Sequence, residues 1–253
     1  MVLRILASEG QSNKLGFGTI GGSAPGGLPI AGVKQFVRNN QIGTMQYSSS
    51  VLESLDVINP APNPTYFGPD LQCAIDLFDA GEDVRLIHFG ANGTSVVSWA
   101  PGNAAQNDAL LTTACLGGRP TSDAGPYSIH LLSTRGEFEA TDVSSTGATN
   151  YFADYVTSFI TPLTNIWGVT PRIQCGRVYT ATLGGLWVPL VQSAQSQLVQ
   201  TYGGNLWNTD SLVTIDGTHY DAPSEIQLGH WYAQGVLAEI RSGAQLFFGG
   251  KPI

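Results

Sequence analysis

The chain has 253 residues, of which 42% are hydrophobic and 12% are charged, so it can bury one full-sized core and is not of a disordered class. Eleven basic and nineteen acidic residues give a formal charge of −8 without any Lys/Arg cluster, so nucleic acid is not an expected partner. No apolar run reaches the ~20 residues that span a bilayer and no secretion signal is recognised, so we expect a soluble chain with no membrane partner.

Short apolar runs alternate with amphipathic stretches, which predicts parallel strands joined by crossover helices. The expected strands are Val2–Ala7, Val84–Phe89, Ile129–Leu132, Arg172–Tyr179 and Leu212–Ile215, with an edge strand at Gln245–Phe248. The expected helices are Asp70–Ala80, Ala104–Leu116, Ala148–Ile166, Val188–Tyr202 and Ser224–Ile240. No linker or repeat separates them, so residues 1–253 are expected to form a single α/β domain, a three-layer α/β/α sandwich around a mostly parallel five-stranded sheet.

The cysteines are interpreted as small core residues. Cys73, Cys115 and Cys175 are widely spaced and contain no CxxC pair, which argues against a disulfide framework and against a zinc site. We therefore expect no metal and no other cofactor. The few charges and many small polar residues slightly favour an extracellular or virion-associated protein.

Polar segments follow four of the expected strands. They are Gly10-Gln11-Ser12-Asn13, residues 90–95, Arg135-Gly136-Glu137 and Asp216-Gly217-Thr218-His219. Because reactive groups of open α/β sheets gather at the carboxyl ends of the strands, these segments are expected to meet at one edge of the sheet.

Ser12, Asp216 and His219 are the residue types of a nucleophile, an orienting acid and a base. Asp216 and His219 lie three residues apart, so the carboxylate can meet the imidazole within one turn of chain. Taken alone, each has an ordinary explanation: Ser12 as a loop residue, His219 as a structural residue and Asp216-Gly217 as a turn. The prediction of chemistry depends on their meeting in space.

In their order along the chain, these segments resemble those of the SGNH hydrolases, specifically the GQSN-motif family of sialate O-acetylesterases and acetylxylan esterases. Residues 10–13 resemble the GQSN signature, and residues 216–219 resemble the final DxxH block. The other matching segments are Phe67-Gly68-Pro69-Asp70-Leu71 (FGPE-type), Asn92-Gly93-Thr94-Ser95 followed by Trp99 (GGTS…W), and Gly136-Glu137 (the end of QGE). The resemblance covers residues 5 to about 232 and implies a flavodoxin-like sheet.

The resemblance implies a serine esterase that removes O-acetyl groups from a carbohydrate without a cofactor. Ser12 would be the nucleophile, His219 the general base and acid, and Asp216 the group that orients it. The implied oxyanion hole consists of the backbone amides of Ser12 and Gly93 and the side chain of Arg135. Residues implied in substrate binding or in support of the site are Gln11, Asn92 and Glu137. The implied partner is an acetylated carbohydrate, and a homo-oligomer or a larger assembly stays open.

Two departures from the family pattern leave alternatives open. Arg135 stands where the family has glutamine, so it could donate to the oxyanion, bind an acidic sugar, or pair with Glu137 or Glu139. Asn92 replaces a glycine and could reach the pocket or occupy a left-handed turn. The aromatic residues near the motifs could stack on sugars, although packing is the more ordinary interpretation; they are Tyr47, Trp99 and Tyr220.

Two other functions fit the same residues. One is a catalytically inactive carbohydrate-binding or structural module of a viral tail or surface assembly. The other is a GDSL-type lipase or thioesterase on the same scaffold.

Overall fold

A computed structural model of the chain describes residues 2–10, 34–38, 45–48, 68–88, 93–103, 126–182, 184–243, 247–248 and 251–252. The described strands are β1 (Leu3–Gly10), β2 (Lys34–Arg38), β3 (Met45–Ser48), β4 (Asp83–His88), β5 (Tyr127–Thr134), β6 (Arg172–Gly176), β7 (Gly204–Trp207), β8 (Phe247–Phe248) and β9 (Lys251–Pro252). The described helices are α1 (Pro69–Asp79), α2 (Glu137–Thr141), α3 (Thr146–Tyr155), α4 (Thr161–Trp167), α5 (Val188–Tyr202) and α6 (Ala222–Arg241).

The sheet has a central parallel block in the order β4-β1-β5-β6-β7. The strand β2 pairs in parallel with β4, and β3 pairs with β2 in antiparallel fashion. Numbered along the chain, the five strands of the central block follow the order 2-1-3-4-5, which is that of flavodoxin-like sheets. The expected mostly parallel α/β sheet is confirmed.

Two apolar clusters lie on opposite faces of the sheet and make it the middle of three layers. In β1, Ile5 and Ala7 belong to one cluster and Leu6 to the other, since successive strand residues point to opposite faces. The first cluster continues into α3, α4 and α5, and the second into α1 and α6. Both faces of the sheet are therefore covered, as parallel sheets require, and the central strands β1 and β5 are buried along their whole length.

The long helix expected at Ala148–Ile166 is present as a continuous helical stretch from Thr146 to Trp167. A π-helical turn at Val156–Ile160 separates α3 from α4. Its apolar stripe is buried as expected, with Tyr155 and Phe159 at 1% and 0% exposure. Cys73 and Cys175 are also buried and free, as expected, whereas Cys115 and the helix expected at Ala104–Leu116 lie outside the described residues.

The expected strand at Leu212–Ile215 is wrong. The fifth central strand is instead β7, which pairs with β6 from Gly204 to Trp207. Residues 212–215 form one side of a small hairpin that is closed by a single bridge between Thr214 and Tyr220. Leu212 is buried, but Val213 and Ile215 are 59% and 57% exposed, so this apolar run is not a buried strand.

The helix α6 is fixed near its carboxyl end by a buried polar network. Glu239 receives a hydrogen bond from Gln174 Nε2 at 2.9 Å and forms an ion pair with Arg172 Nε at 3.0 Å, and its Oε2 lies 3.1 Å from His130 Nδ1. The other ring nitrogen of His130 meets Ser128 Oγ at 2.9 Å. His130 is therefore a buried structural histidine, at 1% exposure. None of the described helices is both long and apolar enough to cross a bilayer.

Candidate active site

The candidate site lies at the carboxyl edge of the sheet, where β1 ends between β4 and β5. The strands β4 and β5 lie on opposite sides of β1, so the strand order reverses direction at β1. In open α/β sheets, ligands bind outside the carboxyl ends of the strands at such a reversal. Gly10 is the last residue of β1, and the segment predicted to carry the nucleophile follows it directly.

Asp216 and His219 meet in the hairpin that follows β7. His219 Nδ1 lies 2.5 Å from Asp216 Oδ2, and Asp216 Oδ1 accepts the backbone N–H groups of Thr218 at 3.0 Å and His219 at 2.8 Å. The carboxylate therefore binds both the ring and the backbone of the same histidine. An Nδ1–H that donates to Asp216 makes Nε2 the acceptor nitrogen of the ring, which is the tautomer that a general base needs.

The electrostatics of this pair keep the carboxyl group ionised. Partial burial raises the pKa of Asp216, but the hydrogen bonds from His219 and Thr218 outweigh this, so its pKa lies below the ordinary value. The side chains remain partly accessible, at 49% exposure for Asp216 and 26% for His219. The pair can thus reach a solute at the edge of the sheet.

The hairpin that holds this pair is a tight structure anchored on α6. Ile215 N–H donates to His219 O at 2.8 Å, and Val213 N–H donates to the hydroxyl of Ser224, in the first turn of α6, at 2.8 Å. Gly217 adopts a φ of 82°, a left-handed conformation that other residues rarely adopt. The Asp-Gly turn, an ordinary feature taken alone, is here the turn that folds the carboxylate back onto the imidazole.

Arg135 is buried beneath the edge of the sheet. Its side chain has 0% exposure, and its Nε forms an ion pair with Glu9 Oε2 at 2.7 Å. Nη1 donates to Thr94 O at 2.9 Å and Nη2 to Gly10 O at 3.0 Å. Of the alternatives that the sequence left open, an ion pair is observed, with Glu9 as the partner. Donation by Arg135 to the oxyanion stays a prediction that no contact in the structure supports.

Glu9 is a residue that sequence reasoning missed. It lies within β1 at 0% exposure, and its Oε1 accepts hydrogen bonds from the hydroxyls of Tyr155, at 2.8 Å, and Ser133. A carboxylate just after a predicted buried strand is a signal in itself, because a buried charge requires a partner of opposite charge. Arg135 was the matching cation, but sequence spacing does not identify the pair, since 126 residues separate the two.

In the segment predicted to contribute the second backbone donor, Gly93 is the first described residue, and it is exposed with a φ of 62°. Thr94 Oγ1 accepts the indole N–H of Trp99 at 3.0 Å, and a 3-10 helix at Val96–Trp99 follows. The Val96 N–H donates to Glu139 Oε1 at 2.5 Å. These contacts fix the segment that contains Gly93 and Val96 to the helix that follows β5.

Glu137, predicted to support the site, begins α2 and is 7% exposed. Beside it lies another carboxyl group that the sequence did not single out, Glu225 of α6, at 0% exposure. Burial raises the pKa of Glu225 well above its ordinary value, and the negative charges of Asp70, Glu137 and Asp221 add to this effect. Neither oxygen of Glu225 has a hydrogen-bond partner in the structure as described.

The remaining predicted site residues have mixed outcomes. Ser12, Gln11 and Asn92 lie outside the described residues, so their roles stay predictions. Trp99 and Tyr220 are buried at 0% and 1% exposure and act in packing rather than as sugar platforms. The side chain of Tyr47 also lies outside the described part of the chain. His230, another histidine, contacts Asp76 at 2.5 Å between α1 and α6, away from the Asp216–His219 pair.

Comparison with solved structures identifies proteins of similar fold. A protein from Arabidopsis thaliana superposes with a TM-score of 0.71 at 17% identity, over 93% of this chain and 98% of its own. A carbohydrate acetylesterase from Xanthomonas citri gives 0.65 at 16% identity over 94% of this chain, which spans 57% of that enzyme. Est24, a carbohydrate acetylesterase from Sinorhizobium meliloti, gives 0.55 at 15% identity, over 93% of this chain and 99% of that one.

At these identities the similarity establishes the fold. The α/β architecture expected from the sequence is therefore one that carbohydrate acetylesterases have. No protein-family model and no curated protein sequence matches the chain.

Proposed function

We propose that the chain is a serine esterase of the SGNH type that removes O-acetyl groups from a carbohydrate. The observation that carries this proposal is the Asp216–His219 pair, held by three hydrogen bonds in a hairpin at the carboxyl edge of the sheet. The end of β1 lies at the same edge, and Ser12 follows Gly10 by two residues in the sequence. These are the three residue types that nucleophilic acyl transfer needs.

In the proposed mechanism, His219 Nε2 takes the proton of Ser12 while Oγ attacks the acetyl carbonyl carbon. The backbone N–H groups of Ser12 and Gly93 bind the negative oxygen of the tetrahedral intermediate, and each such donor contributes ~3 kcal/mol. His219 then returns the proton to the departing sugar hydroxyl, which leaves acetyl-Ser12. Water, deprotonated by His219, releases acetate and restores the serine.

The preference for an acetylated carbohydrate is supported by the resemblance of the GQSN and DxxH segments and by the fold shared with two carbohydrate acetylesterases. The length of the acyl group and the identity of the sugar are determined by the substrate comparisons below.

The decisive experiment is hydrolysis of p-nitrophenyl acetate by the wild type and by Ser12→Ala. We expect turnover by the wild type and its loss in the variant. Ser144→Ala, in an exposed turn between α2 and α3, is the matched control and should keep full activity. Equal rates for wild type and Ser12→Ala would remove the esterase proposal and favour an inactive binding module.

Substrate class is tested by two comparisons. Faster hydrolysis of the acetate than of the octanoate ester of p-nitrophenol is expected, and the opposite order would favour a lipase or thioesterase. Acetate release is then measured from acetylated xylan, O-acetylated sialic acid and an O-acetylated bacterial capsule or lipopolysaccharide. Release from none of these, with p-nitrophenyl acetate still hydrolysed, would remove the carbohydrate assignment and leave a general esterase.

A further inference from the structure

The guanidinium of Arg135 contacts both chain segments that the proposed mechanism brings to the acyl group. Nη2 donates to the carbonyl oxygen of Gly10, and Nη1 donates to that of Thr94. Gly10 lies two residues before Ser12, and Thr94 directly follows Gly93. One side chain therefore bridges the strand end that leads to the proposed nucleophile and the segment that contains the proposed backbone donor.

The orientation of this guanidinium is fixed from its other sides. Glu9 receives Nε–H at 2.7 Å, and the Glu9 carboxylate is held in turn by the hydroxyls of Tyr155 and Ser133. The rings of Trp99 and Phe159 lie 5.6 and 5.2 Å from the guanidinium carbon. The ion pair with Glu9 and the two aromatic rings therefore leave the buried guanidinium little room to reorient.

We propose that Arg135 is a positioning residue that fixes the end of β1, which leads to Ser12 in the sequence, relative to the segment that carries Gly93. This inference rests on the proposed esterase function. Oxyanion donors act only when they lie ~2.7–3.1 Å from the developing charge, and an error of about 1 Å can cost roughly 10²-fold in rate. In this proposal the guanidinium acts through the two carbonyl groups that it binds and does not touch the substrate.

A planar guanidinium suits this function because its N–H groups point in fixed directions within one plane. Three of those directions are used here, toward one carboxylate and two carbonyl oxygens. A lysine ammonium could still neutralise Glu9, but it is a point charge on a flexible stem and cannot hold the two carbonyls in the same geometry.

The test compares Arg135→Lys with Arg4→Lys in steady-state hydrolysis of p-nitrophenyl acetate. Arg4 is a matched control because it lies on the same strand, is buried, and pairs through Nε with Glu82 at 2.7 Å, at the opposite end of β1. We expect kcat to fall about 30- to 100-fold in Arg135→Lys with KM within about threefold, as for misplaced transition-state donors. Arg4→Lys should keep kcat within about twofold of wild type.

Hydrogen exchange separates positioning from direct donation to the oxyanion. Arg135→Lys should accelerate exchange in peptides that contain Gly10 or Thr94 and leave the peptides of α5 unchanged. Lower kcat without faster exchange would overturn the positioning role in favour of direct donation, and unchanged kcat with unchanged exchange would overturn both. If the wild type hydrolyses no ester, the proposed function fails, and the exchange comparison still decides whether Arg135 tethers the two segments.

A second variant covers the case in which Arg135→Lys does not fold. Glu9→Gln/Arg135→Gln removes both buried charges together, so no unpaired carboxylate remains. We expect a folded protein with the same fall in kcat and the same local rise in exchange. Wild-type kcat in this double variant would overturn the proposal.

Discussion

Replacement of Asp216 by asparagine tests the proposed catalytic pair at a single atom. Asp216 Oδ1 accepts two backbone N–H groups, so the amide oxygen of an asparagine must stay on that side. The NH₂ group is then directed at His219 Nδ1, 2.5 Å away in the wild type. Nδ1 must become the acceptor, the ring proton moves to Nε2, and His219 can no longer take the proton of Ser12.

The expected loss follows from the exposure of the pair. The same change in a buried catalytic triad lowers kcat about 10⁴-fold. Because the Asp216 side chain is 49% exposed, solvent screens part of its charge, and we expect a fall of about 10²- to 10³-fold. This corresponds to ~3–4 kcal/mol in activation free energy. KM should change little, since the interaction lost is one made in the transition state.

The measurement is kcat for p-nitrophenyl acetate, with Asp76→Asn as the matched control. Asp76 contacts His230 through the same two atoms, Oδ2 and Nδ1, at the same 2.5 Å, on the surface between α1 and α6. The control should keep kcat within about twofold of wild type. If Asp216→Asn also kept wild-type kcat, the assignment of His219 as the oriented base would be refuted.

Three further predictions concern stability. Arg135→Gln leaves the Glu9 carboxylate buried and unpaired, so urea denaturation should show the free energy of unfolding reduced by about 3–5 kcal/mol, and no reduction would contradict the buried ion pair. Because burial raises the pKa of Glu225, the folded chain binds this proton more tightly than the unfolded chain, and stability falls as pH rises above the unfolded pKa of ~4.3. Relative to wild type, the free energy of unfolding of Glu225→Gln should therefore rise by up to about 1.4 kcal/mol per pH unit above that value. Parallel stability–pH curves of the two proteins would argue that Glu225 has an ordinary pKa. Gly217→Ala and Gly243→Ala both place a side chain at a φ near 80°, so each should lose about 1 kcal/mol of stability, but only Gly217→Ala should lower kcat.

Element order and sheet architecture could be predicted because apolar periodicity is strong where elements are buried. The predicted helix Val188–Tyr202 has the bounds that are observed, and β1, β4 and β5 differ from their predictions only at their ends. The fifth central strand could not be predicted in the same way. Gly204–Trp207 begins with a glycine and is only half-buried at the edge of the sheet, whereas the exposed run at Leu212–Ile215 has more apolar residues.

In the candidate site, a contact between residues close in sequence could be predicted, but a contact between distant residues could not. The contact between Asp216 and His219 was predictable because three residues of chain limit where the carboxylate can reach. The partner of Arg135 was not, since Glu137 and Glu139 are near in sequence but Glu9 is the acid brought close by the pairing of β1 with β5. A buried ion pair across two strands is determined by register, which a single sequence does not reveal.

The helix α6 supports the hairpin that carries His219 and is itself anchored at both ends. At its start, Asp221 caps the Ser224 N–H at 2.9 Å and the Ser224 hydroxyl holds Val213. Near its far end, Glu239 is tied to strands β5 and β6. Twenty residues at 1.5 Å each make a rod of about 30 Å, so a shift of the far anchor would tilt the imidazole at the near one. Substitutions at the Glu239 end of α6 are therefore expected to change the position of His219 without any contact to it.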